Sequence, residues 1–156
     1  MAGEPEHQAP DLLTIGYEGT TLAHVLATLR AARAELLIDV RAVASSRKPG
    51  FSKNLLAGSL AAAGIDYLHL QGLGTPKEGR MAVRAGHPER MHAIFGAHMT
   101  GDRPQAELAQ AVAAARGARA CLLCFERDHQ TCHRSLVAEM VRAETGQKIV
   151  HLQAAL

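Results

Sequence analysis

Residues 35–41 read ELLIDVR: apolar in the middle, with Asp39 and Arg41 at the carboxyl end. So short a run with an uncharged centre is a buried strand. Working outward, Leu12 to Tyr17 forms an earlier strand. Thr20 or Thr21 caps the helix between the two, in which Leu22, Val25, Leu26 and Leu29 recur at helical spacing. Downstream, Ala42 to Phe51 holds Ser45, Ser46, Arg47, Lys48, Pro49 and Gly50 and reads as a loop. Ser52 caps a second helix, with Leu56, Leu60 and Ala63 on one face and Gly64 as its stop. Ile65 to Leu70 is a third strand. The following stretch, Gln71 to Gly86, carries four glycines and Pro76 and reads as a long irregular loop. Loops of that length in compact domains are often functional. Helices are expected over Pro88–Met99, Pro104–Arg116 and His133–Thr145, and strands over Ala120–Phe125 and Lys148–Leu152. This alternation specifies a single α/β domain over 11–156, with a mostly parallel sheet of about five strands flanked by helices.

In such sheets ligands bind beyond the carboxyl ends of the strands. Three polar groups should therefore share one rim: Gly16 to Gly19 after the first strand, Asp39 to Arg41 at the end of the second, and Glu126 to Asp128 after the fourth. Residues 1–10, MAGEPEHQAP, lack both a basic start and an apolar stretch. They read as a disordered tail rather than a secretory signal.

Composition narrows the function. The chain of 156 residues is 47% hydrophobic and 21% charged, which excludes general disorder. No apolar run approaches the ~20 residues of a membrane helix. Seventeen basic residues against fifteen acidic leave a charge of only +2, so binding to nucleic acid through bulk charge is not favoured. With aromatic residues at 3% and no tryptophan, a stacking platform for single strands has little to work with. Three cysteines make a disulfide framework unexpected and the cytoplasm the default location.

The ordered segments TIGYEG (14–19), IDVR (38–41), SRKPGF (46–51) and LCFERDHQTCHRS (123–135) together resemble the family known as domain of unknown function 488. The resemblance runs from about Leu12 to Leu152. It implies an α/β domain with a shared site to which Gly16 and Tyr17 contribute, and no particular activity.

The strongest chemical grouping is Cys132-His133-Arg134, with Glu126 upstream. Thr131 can cap a helix beginning at Cys132, so these three residues would occupy a first turn whose free N–H groups favour an anion. Arg134 could grip a phosphate or carboxylate in two places. His133 could donate a proton or a hydrogen bond, and Cys132 could be held as a reactive thiolate. The competing reading has Arg134 pair with Glu126 or Asp39 to pin the loop, with Cys132 a small buried hydrophobe. Asp39 and Arg41 alternate onto one strand face, where they either serve the rim or pair with each other. Arg47, with Lys48, could guide a phosphate inward or simply be solvated.

Other signals are weaker. Cys121 and Arg127 have the C-x5-R spacing of an anion-cradling loop, but the strand-like residues between them make Cys121 a core residue. A zinc site at Cys124, Cys132 and His133 lacks any C-x-x-C or H-x-x-x-H pair, and Cys124 is expected to point away from the loop; no metal is expected. His69 reads as a core hydrogen-bonder, and His87, His92 and His98 as surface residues of a helix. No cofactor can be named. The expected partner is a small anionic ligand, a nucleotide or phosphorylated metabolite, bound or processed by Arg41, Arg134, Glu126, Asp39 and Cys132. The alternative is a noncatalytic sensor or adaptor that binds a nucleotide or a nucleic-acid end.

Overall fold

The computed structural model describes residues 9–156. Of the tail expected at 1–10, the first eight residues lie outside the described residues. The Pro10 carbonyl is already tied down, accepting a hydrogen bond from Gln147 Nε2 at 2.6 Å.

Five strands pair in the order β3-β2-β4-β1-β5: β1 (Leu12–Gly16), β2 (Leu36–Asp39), β3 (Asp66–His69), β4 (Ala120–Cys124) and β5 (Ile149–His151). Every pairing is parallel. Each strand is shorter than its apolar run. Tyr17, Val40 and Phe125 extend the hydrophobic text past the strand ends: Tyr17 and Phe125 line the cleft, while Val40 is buried in the core.

Side chains alternate between two cores. Leu13, Ile15, Leu37, Cys121 and Leu123 pack under α1 (Leu22–Ala31) and α2 (Lys53–Ala62). On the other face, Leu12, Ile38, Ala120, Leu122 and Cys124 meet α4 (Pro88–His98), α5 (Asp102–Gly117) and α6 (His133–Thr145). Thr21 caps α1 as expected, its hydroxyl accepting from His24 N at 3.2 Å. Ser52 sits at the start of α2, but its hydroxyl donates to the Ser46 carbonyl at 3.2 Å and so braces the preceding loop instead.

The stretch 71–86 is not irregular. A 3-10 turn, Gln71–Leu73, leads into α3 (Lys77–Arg84). Gly79 reads as a breaker yet is a packing position: a Cβ there would collide with the Thr75 methyl and touch Ile94 and Met91 of α4 at 3.5 and 3.6 Å. His98 is likewise no free surface residue, since its Nε2 bonds the Gly72 carbonyl at 2.7 Å.

The sheet order places the site. From β1 the chain crosses over β4 to reach β2, through α1 on one face. From β4 it crosses over β1 to reach β5, through α6 on the other face. Two adjacent strands whose connections leave in opposite directions open a crevice at their carboxyl ends, the switch point where α/β proteins bind ligands.

At the β5 edge, the His151 and His129 rings stack at 3.6 Å, and His151 Nδ1 bonds the Thr14 hydroxyl at 2.6 Å. Burial, with the neighbouring His129, pulls His151 down to about 4. A histidine with a depressed folded value supports the fold above its unfolded value of ~6.5 and loses that support as pH falls toward the folded value. The melting temperature should therefore fall between pH 6.5 and 4, and His151→Phe, which keeps a ring without the titration, should shrink the fall. An identical pH profile in the variant would contradict this.

Candidate functional site

A cleft of about 590 Å³ opens at the carboxyl ends of β1, β2 and β4. Tyr17 and Glu18 line it after β1, Arg41, Ser45 and Ser46 after β2, and Phe125 and Glu126 after β4. Arg80 and Arg84 of α3 and His133 of α6 complete its walls. The loops after β1 and β4 are zipped together, Tyr17 N donating to the Cys124 carbonyl at 3.3 Å and Glu18 N to the Phe125 carbonyl at 2.8 Å.

Asp39 is fully buried and does not line the cleft. Its carboxylate accepts from Arg41 Nε at 2.9 Å, Arg41 Nη2 at 2.7 Å, the Arg41 backbone N at 3.1 Å and the Tyr67 hydroxyl at 2.6 Å. Arg41 Nη1 donates to the Tyr17 hydroxyl at 3.0 Å and the Phe51 carbonyl at 2.8 Å. Tyr17 in turn stacks on Phe51 at 4.3 Å and meets Phe125 edge-on at 5.4 Å. Asp39 is thus an anchor for Arg41 rather than a base at the cleft. Arg41, with most of its donors spent internally, sets the position of the Tyr17 wall.

Arg134 is also fully buried. It donates to the Thr14 hydroxyl at 3.2 Å, to Cys124 Sγ at 3.3 Å, to the Arg127 carbonyl at 3.2 Å and to the Glu126 carbonyl. The expected ligand grip is therefore corrected: its fork holds the main chain of the loop after β4 and does not line the cleft. Gly16 belongs to the same joint. A Cβ there would run into the Glu126 carbonyl and stand 3.0 Å from Arg134 Nη1, so a bare backbone is required for the loop and guanidinium to seat against β1. Arg47 is exposed in the loop after β2 and lies outside the cleft lining. Neighbouring Lys48 donates to the Thr20 carbonyl at 2.7 Å.

Glu126 faces the cleft with its carboxyl while its carbonyl holds Arg134. The guanidinium being spent on the main chain, burial dominates and raises the carboxyl above the ordinary range. Among the described residues the expected pairing of the Glu126 carboxylate with a guanidinium does not form, because Arg134 bonds its carbonyl instead. His133 Nε2 bonds the Val40 carbonyl at 2.7 Å. A carbonyl only accepts, so Nε2 carries the proton and Nδ1 keeps its lone pair. Burial lowers His133 to about 4. The ring is neutral near pH 7 and does not serve as a proton donor from an imidazolium.

The cysteines depart furthest from expectation. Thr131 belongs to a 3-10 turn, His129–Thr131, and Cys132 itself is the N-cap of α6, its Sγ accepting from Arg134 N at 3.5 Å. Cys132 is buried and does not line the cleft, so an exposed nucleophile there is not found. Cys124 does not point away from the loop, since its sulfur lies 3.5 Å from the Glu126 carboxyl. Its sulfur meets that of Cys132 as a disulfide, with the Cα atoms 7.4 Å apart, outside the usual span of about 4.4–6.8 Å. Cys121 is a buried core thiol whose pKa burial pushes up, as its strand position implies. His69 bonds the Arg41 carbonyl at 2.9 Å.

Arg80, Arg84 and Phe125 are among the cleft residues that the sequence does not place at the site. The signal for the first two was their spacing of four, which puts both on one face of a helix.

Fold and site define a parallel α/β protein with an open cleft at its switch point. The chain belongs to the family described as Domain of unknown function DUF488, whose model matches residues 21–141. That span holds Asp39, Arg41, Glu126, Cys132, His133 and Arg134, and leaves β1 with Gly16 and Tyr17 outside. No curated protein and no solved structure matches the chain. No helix among the described residues is long and apolar enough to cross a membrane.

Proposed function

We propose that the cleft binds a small anionic ligand with a planar or apolar body, a nucleotide or similar phosphorylated metabolite. One observation carries the reading: Arg80 and Arg84 of α3 line the same cleft as the Tyr17 and Phe125 rings. Among the described residues neither arginine is in an ion pair. Arg80 donates to the Thr75 carbonyl at 2.8 Å, which orients it and leaves further donors for a ligand. Phe125 is 45% exposed and Val43 52%, apolar surface of the kind that a planar body covers. Glu18 and Glu126 line the same cleft and offer hydrogen-bond acceptors to a base or sugar, so the ligand has one favoured orientation.

Glu126 and His133 are the proton-handling groups at the cleft, should the ligand be processed as well as bound. A noncatalytic sensor or adaptor is the second reading, favoured by the burial of Cys132 behind the wall. Calorimetric titration with nucleoside monophosphates tests the binding claim. A lost charge-assisted hydrogen bond is worth ~1.5–3 kcal/mol, so Arg80→Ala and Arg84→Ala should each weaken binding about ten- to hundredfold without altering the melt. Undiminished affinity in both variants, or no binding by the wild-type chain, would overturn the proposal. A steep fall of affinity with salt would point to a nucleic-acid end as the partner.

A further inference from the structure

Cys124 Sγ, Cys132 Sγ and His133 Nδ1 lie within 4.8 Å of one another, all on buried residues at the junction of β4 and α6. We propose that the reduced chain binds one soft divalent cation of the zinc class through these three atoms, with the fourth position beside the Glu126 carboxyl.

Four observations converge on this. The 7.4 Å between the Cα atoms is wide for a relaxed disulfide. Two thiolates sharing a tetrahedral ion at Zn–S ≈ 2.3 Å stand roughly 3.8 Å apart, which the wider spacing accommodates. His133 is oriented as a ligand: its Nε2 donates to the Val40 carbonyl at 2.7 Å, and its Nδ1 lone pair stands 3.9 Å from Cys132 Sγ. Metal-ligating histidines show this arrangement, the second ring nitrogen held by a carbonyl or carboxylate. The Glu126 carboxyl lies 3.5 Å from Cys124 Sγ and also lines the cleft, so an oxygen donor and an entry path are both at hand.

Charge is the fourth observation. Arg134 is a fully buried guanidinium that, among the described residues, forms no salt bridge with a carboxylate. A buried cation needs a nearby negative charge. Two thiolates and one carboxylate around a divalent ion sum to a single negative charge, which Arg134 neutralises through its 3.3 Å contact with Cys124 Sγ. Binding releases the two thiol protons to solvent and involves no change of oxidation state.

The test uses the full chain, fully reduced under anaerobic conditions, with zinc followed by native mass spectrometry and cobalt(II) by absorption. One ion per folded chain and a thiolate-to-cobalt charge-transfer band are expected. Cys124→Ser and His133→Gln should weaken cobalt binding at least tenfold, while Cys121→Ser, on the opposite face of the sheet, should leave the spectrum unchanged. A reduced, folded wild-type chain that retains neither ion overturns the site, whatever the variants do. So does a Cys124→Ser spectrum identical to wild type.

Discussion

Arg134→Ala is expected to destabilise the fold by about 3–5 kcal/mol, the combined cost of a large buried void and of acceptors left unsatisfied. The guanidinium is fully buried, and it is the donor shared by the Glu126 and Arg127 carbonyls and the Thr14 hydroxyl. Removing it strips the loop after β4 of its anchor, against a total stability of about 5–15 kcal/mol for a domain. Arg134→Lys should recover little, because one ammonium cannot reach acceptors that a planar fork meets in different directions. Urea unfolding reads the effect directly. A loss under about 1 kcal/mol, a typical surface effect, would mean that the side chain is not holding the loop.

Asp39→Ala should cost a similar amount, about 3–5 kcal/mol, because it leaves Arg41 buried beside an unpaired Tyr67 hydroxyl. Replacing both partners tests the mechanism. Asp39→Ala combined with Arg41→Met removes the orphaned charge, so the double variant should be more stable than Asp39→Ala alone. Additive losses would show that Arg41 does not depend on Asp39. The Tyr17 ring should loosen in the single variant, since Arg41 is its hydrogen-bond donor.

These effects explain which parts of the site could be read in advance. The alternation of runs such as ELLIDVR with capped helices carries the parallel sheet, because burial on both faces leaves an uninterrupted apolar mark. The apolar runs overshoot the strand ends at Tyr17 and Val40, since hydrophobicity reports burial and both side chains are buried, and at Phe125, whose ring is exposed at the cleft. α3 was hidden by Gly79 and by a polar text, KEGRMAVR, that buries only Gly79 and Ala82. The direction of Cys124 was legible: strand alternation puts it with Ala120 and Leu122 on the α6 face, at whose N-cap Cys132 stands. The partners of Arg134 were not. Two of the four are main-chain carbonyls, and no side-chain pattern announces a carbonyl.

The central claim is a division of labour in which Arg41 and Arg134 build the frame while Arg80 and Arg84 hold the ligand. A crystal of the chain soaked with a nucleoside monophosphate tests it most directly. The account predicts the phosphate between Arg80 and Arg84, with the base against Tyr17 and Phe125. A phosphate seated at the first turn of α6, on Arg134 and the amides after Cys132, would contradict it.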